Sequence, residues 1–164
     1  VNQATNWLVA GQVPQRMGSE HPNIVPYGNI FKTADDQWLM IAVGSDKQFK
    51  SLCSILDLGD LATKQEFATN AARVKNRELL KPMLESAFSL FGIDQLCSAF
   101  LAADIPYGRV NTMDQVFATP QGKAMVLQTL RDGLVQNGLR QVAFRMEEGL
   151  VAGGVKAAPR LGEG

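Results

Sequence analysis

The sequence predicts an α+β fold in which a small antiparallel sheet packs with helices. Three observations carry this. Residues 29–33 and 37–43 are rich in β-branched and aromatic side chains and flank Ala34, Asp35 and Asp36, the pattern of a β-hairpin. Three later stretches, beginning near Asp46, Asn76 and Ile93, place apolar residues at helical spacing. Residues 11–28 carry Pro14, Pro22 and Pro26 with Gly11, Gly18 and Gly28, which excludes regular helix and leaves a long ordered loop.

The elements follow in order. Asn2–Ala10, centred on Trp7 and Leu8, reads as the last turns of a helix closed by Gly11. The loop that follows is expected to be the most mobile or most partner-dependent internal segment, because loops of this length are usually functional. After the hairpin, Ser45 or Asp46 caps a helix burying Phe49, Leu52, Cys53 and Leu56 and ending before Gly59. Leu61–Phe67 is irregular. Asn76 caps a helix burying Leu79, Leu80, Met83, Leu84, Ala87 and Phe88 and closed by Gly92. Pro82 either kinks that helix or marks where its regular part begins. Ile93–Ala103 buries Leu96, Cys97, Phe100 and Leu101, and the two helices are expected to form an antiparallel pair. Ile105–Val110, with Pro106, suits an edge strand. Thr112 or Asp114 caps a brief helix through Phe117, and Met125–Leu130 and Leu139–Phe144 alternate as strands beyond a boundary near residue 124.

Composition narrows the function. The 164 residues are 46% apolar and 20% charged, enough for a packed core without staples. Sixteen basic side chains balance 16 acidic ones, so no positive field favours nucleic acid or a membrane surface. No apolar run approaches membrane-spanning length, and the chain reads as cytoplasmic. Cys53 and Cys97 fall on apolar helix faces and read as buried thiols, with no disulfide and no metal site expected. Val1 at the start and Leu161–Gly164 at the end read as cut ends.

Catalytic patterns are absent. The single histidine, His21, lies in the proline-rich loop, and no nucleophile elbow accompanies it. Gly153 and Gly154 match no phosphate-binding pattern and read as a flexible turn. Asp35 and Asp36, adjacent on a hairpin tip, should point apart and stay solvated. Arg73, Lys75 and Arg77 could meet an anion, but a solvated helix start is the commoner meaning of such a cluster.

The segment His21-Pro22-Asn23-Ile24-Val25-Pro26-Tyr27, followed by Phe31-Lys32-Thr33-Ala34-Asp35, resembles the loop and first hairpin of class III (CaiB/BaiF) CoA-transferases, a family that also includes acyl-CoA racemases. Further matches follow in register: Ala42–Asp46 with Gln48-Phe49, Phe67–Asn70 with Arg73-Val74 and Asn76-Arg77, Ile105–Val110 with Val116-Phe117 and Pro120-Gln121, and Ala158–Glu163. The chain departs from the family pattern at Gly28, where several relatives have glutamine, and at Asp36, where many have glycine.

The resemblance implies the C-terminal part of a longer enzyme. Residues 1–28 would be the end of a linker helix and a loop facing the active site, 29–124 the small α+β domain, and 125–164 a tail returning to a Rossmann-like large domain. That large domain would bind CoA and supply an aspartate nucleophile. None of the nine aspartates here stands in a matching motif, so no catalytic residue is assigned to this chain. The resemblance makes His21, Pro22, Asn23, Tyr27, Gly28 and Asn29 candidates to face the substrate. It implies acyl-CoA and a carboxylic acid as partners, coenzyme A as substrate of the intact enzyme with no cofactor bound by this chain, and a homodimer. The alternatives are a non-catalytic self-associating module and an acyl-CoA racemase, for which Asn29 would be a poor proton donor.

Overall fold

The predicted hairpin forms, and a third strand extends it. In the computed structural model, which describes residues 2–13 and 15–139, β1 (Tyr27–Lys32) pairs antiparallel with β2 (Trp38–Ala42), and β2 pairs antiparallel with β3 (Tyr107–Arg109). The strand order is therefore β1-β2-β3, and β3 takes the edge position expected of a strand next to Pro106. Alternation puts Phe31, Leu39 and Ile41 on the buried face, all exposed by 1% or less.

Helix α1 (Asn2–Ala10) precedes the sheet and is closed by Gly11 at φ +65°, whose N–H returns to the Trp7 carbonyl. Helix α2 (Asp46–Ile55) starts at Ser45 with a complete capping box: the Ser45 hydroxyl accepts from the Gln48 N–H, and Gln48 Oε1 accepts from the Ser45 N–H. It buries Phe49, Leu52 and Cys53. It ends before Gly59 as expected, and its left-handed closing residue is Asp57 at φ 53°. The Leu58 N–H reaches the Cys53 carbonyl and the Asp57 N–H the Ser54 carbonyl, the two bonds of a Schellman closure.

A short 3-10 turn over Gly59–Thr63 leads to α3 (Asn70–Lys75), which the sequence reading missed, and α4 (Arg77–Phe88). The regular part of α4 begins at Arg77 and not at Pro82, whose ring lies on the solvent side. Leu80, Leu84, Ala87 and Phe88 are buried as expected, but Leu79 and Met83 are exposed. Gly92 does not close α4. It stands in extended conformation at the start of α5 (Ile93–Ala102), which ends in a second aspartate closure at Asp104, φ 52°. Leu101 faces solvent, contrary to expectation.

Helix α4 packs on β1 and α5 on α2. They meet through aromatic rings. Phe31 stacks on Phe88 at 4.3 Å, and Phe88 meets Phe100 edge-on at 6.0 Å. Cys53 and Cys97 are buried free thiols.

The chain divides into two units after Val110. In the second, Thr112 caps α6 (Met113–Ala118), and α7 (Pro120–Met125) opens with proline in its first turn, where a missing N–H is harmless. Strands β4 (Val126–Arg131) and β5 (Leu134–Leu139) form a separate hairpin. The second strand was expected at Leu139–Phe144. The structure starts it at Leu134, because Asp132 and Gly133, both at positive φ, make a two-residue turn. Residues 140–144 lie outside the described residues, as do Gly153 and Gly154 and the motif at Ala158–Glu163.

Candidate functional site

The loop that carries the candidate residues is closed on itself at its base. The His21 N–H donates to the Tyr27 carbonyl at 2.9 Å, and the two rings meet edge-on with centroids 5.7 Å apart. His21 Nδ1 accepts the Asn23 N–H at 3.1 Å. Across the same base, the Val43 N–H donates to the Pro26 carbonyl at 3.0 Å and ties the loop to the end of β2. The Val25–Pro26 peptide bond is cis.

Gly28 adopts φ +77°, and a Cβ placed there would lie 2.0 Å from the Ser19 carbonyl oxygen. The chain's own backbone therefore takes up the space that glycine leaves open. Gly28 is the extra residue of a bulge between Tyr27 and Asn29. Asn29 is only 6% exposed, and its side-chain oxygen, with two lone pairs to satisfy, has no hydrogen-bond partner.

The structure corrects the reading of the basic cluster. Arg73 is not at a solvated helix start but 0% exposed. It donates from Nε to the Val25 carbonyl at 2.7 Å, from Nη1 to the Phe67 carbonyl at 3.0 Å and from Nη2 to Asp46 at 2.8 Å, with its guanidinium 4.3 Å from the centroid of the Phe49 ring. Arg77 is mostly buried and donates to the Pro22 carbonyl at 2.7 Å; Lys75 alone of the three is exposed.

Asn70, which the sequence reading quoted but assigned no role, accepts the Val25 N–H at 3.1 Å and donates to the Asn23 carbonyl at 2.8 Å. Glu20, also passed over, bonds Lys81 at 2.8 Å and lies 3.7 Å from Arg77, and this carboxylate raises the Lys81 ammonium above its ordinary pKa. One signal was available. Asn70, Arg73 and Arg77 recur at i, i+3 and i+7, the spacing of one helical face.

The second half of the loop is thus cross-linked to α3 and α4. His21, Pro22 and Asn23 lie in it, and Tyr27, Gly28 and Asn29 follow as the first residues of β1. Asp35 and Asp36 do stay exposed on the hairpin tip, but each has a partner: Thr33 and the Ile93 N–H for Asp35, Lys32 for Asp36. Among the described residues, no cluster of histidine, cysteine and carboxylate side chains could hold a metal, and no helix is long and apolar enough to cross a membrane.

The family model for CoA-transferase family III matches residues 1–164. This chain belongs to that family. It is 34% identical to the succinate–glutarate CoA-transferase of Agrobacterium fabrum over 171 aligned residues, covering 99% of this chain and 40% of that protein. It is 36% identical over 132 residues to the succinyl-CoA:glutarate CoA-transferase of Homo sapiens, covering 80% of this chain and 28% of that one. Among solved structures, a CaiB/BaiF family protein from Brucella suis superposes with a TM-score of 0.72 at 39% identity, over 90% of this chain and 38% of that chain. The chain therefore spans less than half the length of the relatives it matches.

Proposed function

We propose that this chain is the small-domain part of a CoA-transferase that moves CoA between carboxylic acids, and that the His21–Asn29 loop faces the acyl group. The observation that supports it most directly is the match of the family model to the whole chain, joined by identities above 30% to two enzymes named for succinate and glutarate. Short dicarboxylates are accordingly the proposed acids.

In the proposed reaction an aspartate of the large domain, outside these residues, attacks the thioester carbonyl. The C–S bond breaks, CoA leaves as the thiolate, and an acyl-aspartyl anhydride remains. The CoA thiolate then attacks the aspartyl carbonyl of the anhydride, which releases the donor carboxylate and leaves an aspartyl-CoA thioester. The acceptor carboxylate attacks that thioester to give a second anhydride and free thiolate, and the thiolate attacks its acyl carbonyl, forming the new acyl-CoA and freeing the aspartate. The anhydride must be kept from water meanwhile, and a loop held in one shape by imported hydrogen bonds suits that role. His21, Pro22, Asn23, Tyr27, Gly28 and Asn29 are the proposed lining.

The proposed division is linker end and loop over 1–28, small domain over 29–124 and returning tail over 125–164. Trp7, Leu8 and Val9 of α1 are exposed, as are Leu130, Leu134 and Val135 of the second hairpin. A lone two-stranded hairpin is marginal in water, which supports a covering surface from the large domain or from a second copy in a cytoplasmic homodimer.

The test is turnover of succinyl-CoA with glutarate by the full-length protein, with the acyl-enzyme trapped by hydroxylamine. A hydroxamate mapped upstream of Val1 agrees with the proposal. A labelled aspartate or glutamate within residues 1–164, or no transfer to any short acid, overturns it.

A further inference from the structure

We infer that Asn70, Arg73 and Arg77 are positioning residues for the reaction, fixing the shape of the acyl-facing loop through its backbone rather than touching substrate. The inference rests on the proposed place of that loop at the acyl site. Between His21 and Tyr27, Pro22 and Pro26 have no N–H, and a single backbone bond, His21 to Tyr27, spans the segment. Such a stretch has no secondary structure of its own to hold it, so its polar groups need partners from elsewhere.

Those partners come from one face of α3 and α4. Asn70 bonds both an N–H and a carbonyl two residues apart, Val25 and Asn23, as a neighbouring strand would. A primary amide offers a donor and an acceptor together. Arg73 takes the Val25 carbonyl, and Arg77 takes that of Pro22 with a longer contact to that of His21 at 3.4 Å. The side chains reach 45–56 residues back along the chain. Carbonyls of His21, Pro22, Asn23 and Val25 are thus gripped in succession, and the side chains of His21, Asn23 and Tyr27 leave from a fixed frame.

Arg73 is the anchor. A guanidinium with no exposed surface is costly to bury, and hydrophobic replacements of buried ion pairs are often neutral or better for stability alone. Its retention fits a demand for one loop geometry. Its three acceptors diverge to Val25, Phe67 and Asp46, a fork that an ammonium cannot reproduce. Arg77 holds the loop through Nη2, while its buried Nη1 has no hydrogen-bond acceptor and lies 3.7 Å from the Glu20 carboxylate.

The experiment uses the full-length enzyme with Asn70→Ala and Arg77→Gln, leaving the deeply buried Arg73 intact so that the fold survives. Amide exchange of residues 21–28 should quicken by about tenfold, as expected for loss of one or two hydrogen bonds, with β2 and α2 unchanged. Misplacement of a site group by an ångström costs about 100-fold, so kcat should fall by about 10- to 100-fold while KM for the acyl-CoA changes little. Arg77→Lys should recover part of kcat. Unchanged exchange at 21–28 overturns the inference and leaves the proposed function standing. Quickened exchange with unaltered transfer removes the loop from the acyl site and overturns the inference, with CoA transfer itself left standing.

Discussion

Asp35, at the tip of the first hairpin, accepts the Ile93 N–H at 3.2 Å and so caps α5 from 58 residues away in sequence. Gly92, the residue before Ile93, has no side chain to do this, and a Cβ there would lie 3.7 Å from the Asp35 carboxylate. The negative charge also faces the positive end of the α5 dipole. A turn residue of the sheet therefore fixes where a helix begins.

The pH dependence of this cap follows from its hydrogen bonds. The Thr33 hydroxyl, first, and the Ile93 N–H hold the Asp35 carboxyl below its ordinary value of 3.8. A carboxyl depressed on folding stabilises above its unfolded pKa, and that contribution is lost as pH falls through the lower folded value. Asp35→Ala should lower the thermal midpoint at about pH 7, with the gap to wild type closing as pH falls below the ordinary carboxyl value of 3.8. A gap independent of pH would mean that the cap does not act through its charge.

How much of this was legible depended on sequence distance. The β1–β2 hairpin and the Ser45–Gln48 capping box were readable because every group involved lies within a few residues. Arg73 was misread because its acceptors at Val25, Phe67 and Asp46 come from three separate stretches, and no local pattern announces a fork that they complete. Leu79, Met83 and Leu101 were assigned to the core by helical period, but that stripe is wider than the surface α4 and α5 bury here. The loop residues were legible only through the family resemblance. Their anchors at Asn70 and Arg77 sat in the same matching motif, unassigned because spacing alone does not say what a polar face holds.

Removing Arg73 should be the most damaging single polar change in the first unit. Arg73→Ala would leave the carbonyls of Val25 and Phe67 without their donor and Asp46 without its cation, at about 3–5 kcal/mol. Arg73→Lys should rescue only part, since one ammonium cannot reach all three. Urea midpoints of the two variants check this, and equal midpoints for lysine and arginine would refute the fork argument.

Burial pushes the Cys53 thiol up to about 11, so it stays protonated and inert at neutral pH although its partner state, the thiolate, is the reactive one. A disulfide reagent such as DTNB at about pH 8 should therefore modify Cys53 only as fast as the unit opens, with the rate rising steeply in urea. Rapid labelling of the native protein at Cys53 would contradict the burial.

Asp57 and Asp104 each close a helix in a left-handed conformation that glycine adopts at least cost. Asp104→Gly should stabilise by about 0.5 kcal/mol, the relief of Cβ strain exceeding the added chain entropy of the unfolded state. The Ile105 N–H would keep its bond to the Phe100 carbonyl, so amide protection of Ile105 should be preserved. A lower denaturant midpoint would show that the Asp104 side chain contributes more than its backbone costs.

Gly28 offers the sharpest separation of loop shape from overall stability. Its φ of +77° is unfavourable for any other residue, and an alanine Cβ would meet the Ser19 carbonyl at 2.0 Å, well inside contact distance, where the neighbouring atom is backbone and has no rotamer to yield. Either Ser19 and Glu20 must move outward or the bulge between Tyr27 and Asn29 must open. In both cases the Tyr27 carbonyl loses its line to the His21 N–H, while the aromatic stack of Phe31 on Phe88 and the rest of the core lie beyond the disturbance. Local strain of this kind costs about 1–3 kcal/mol, small enough for a full-length enzyme to remain folded. Gly28→Ala should thus keep native circular dichroism and near-native exchange in α2 and α5, yet lose about 100-fold in transfer between succinyl-CoA and glutarate. A Gly28→Ala enzyme with wild-type kcat and KM would show that the His21–Tyr27 closure has no part in the reaction.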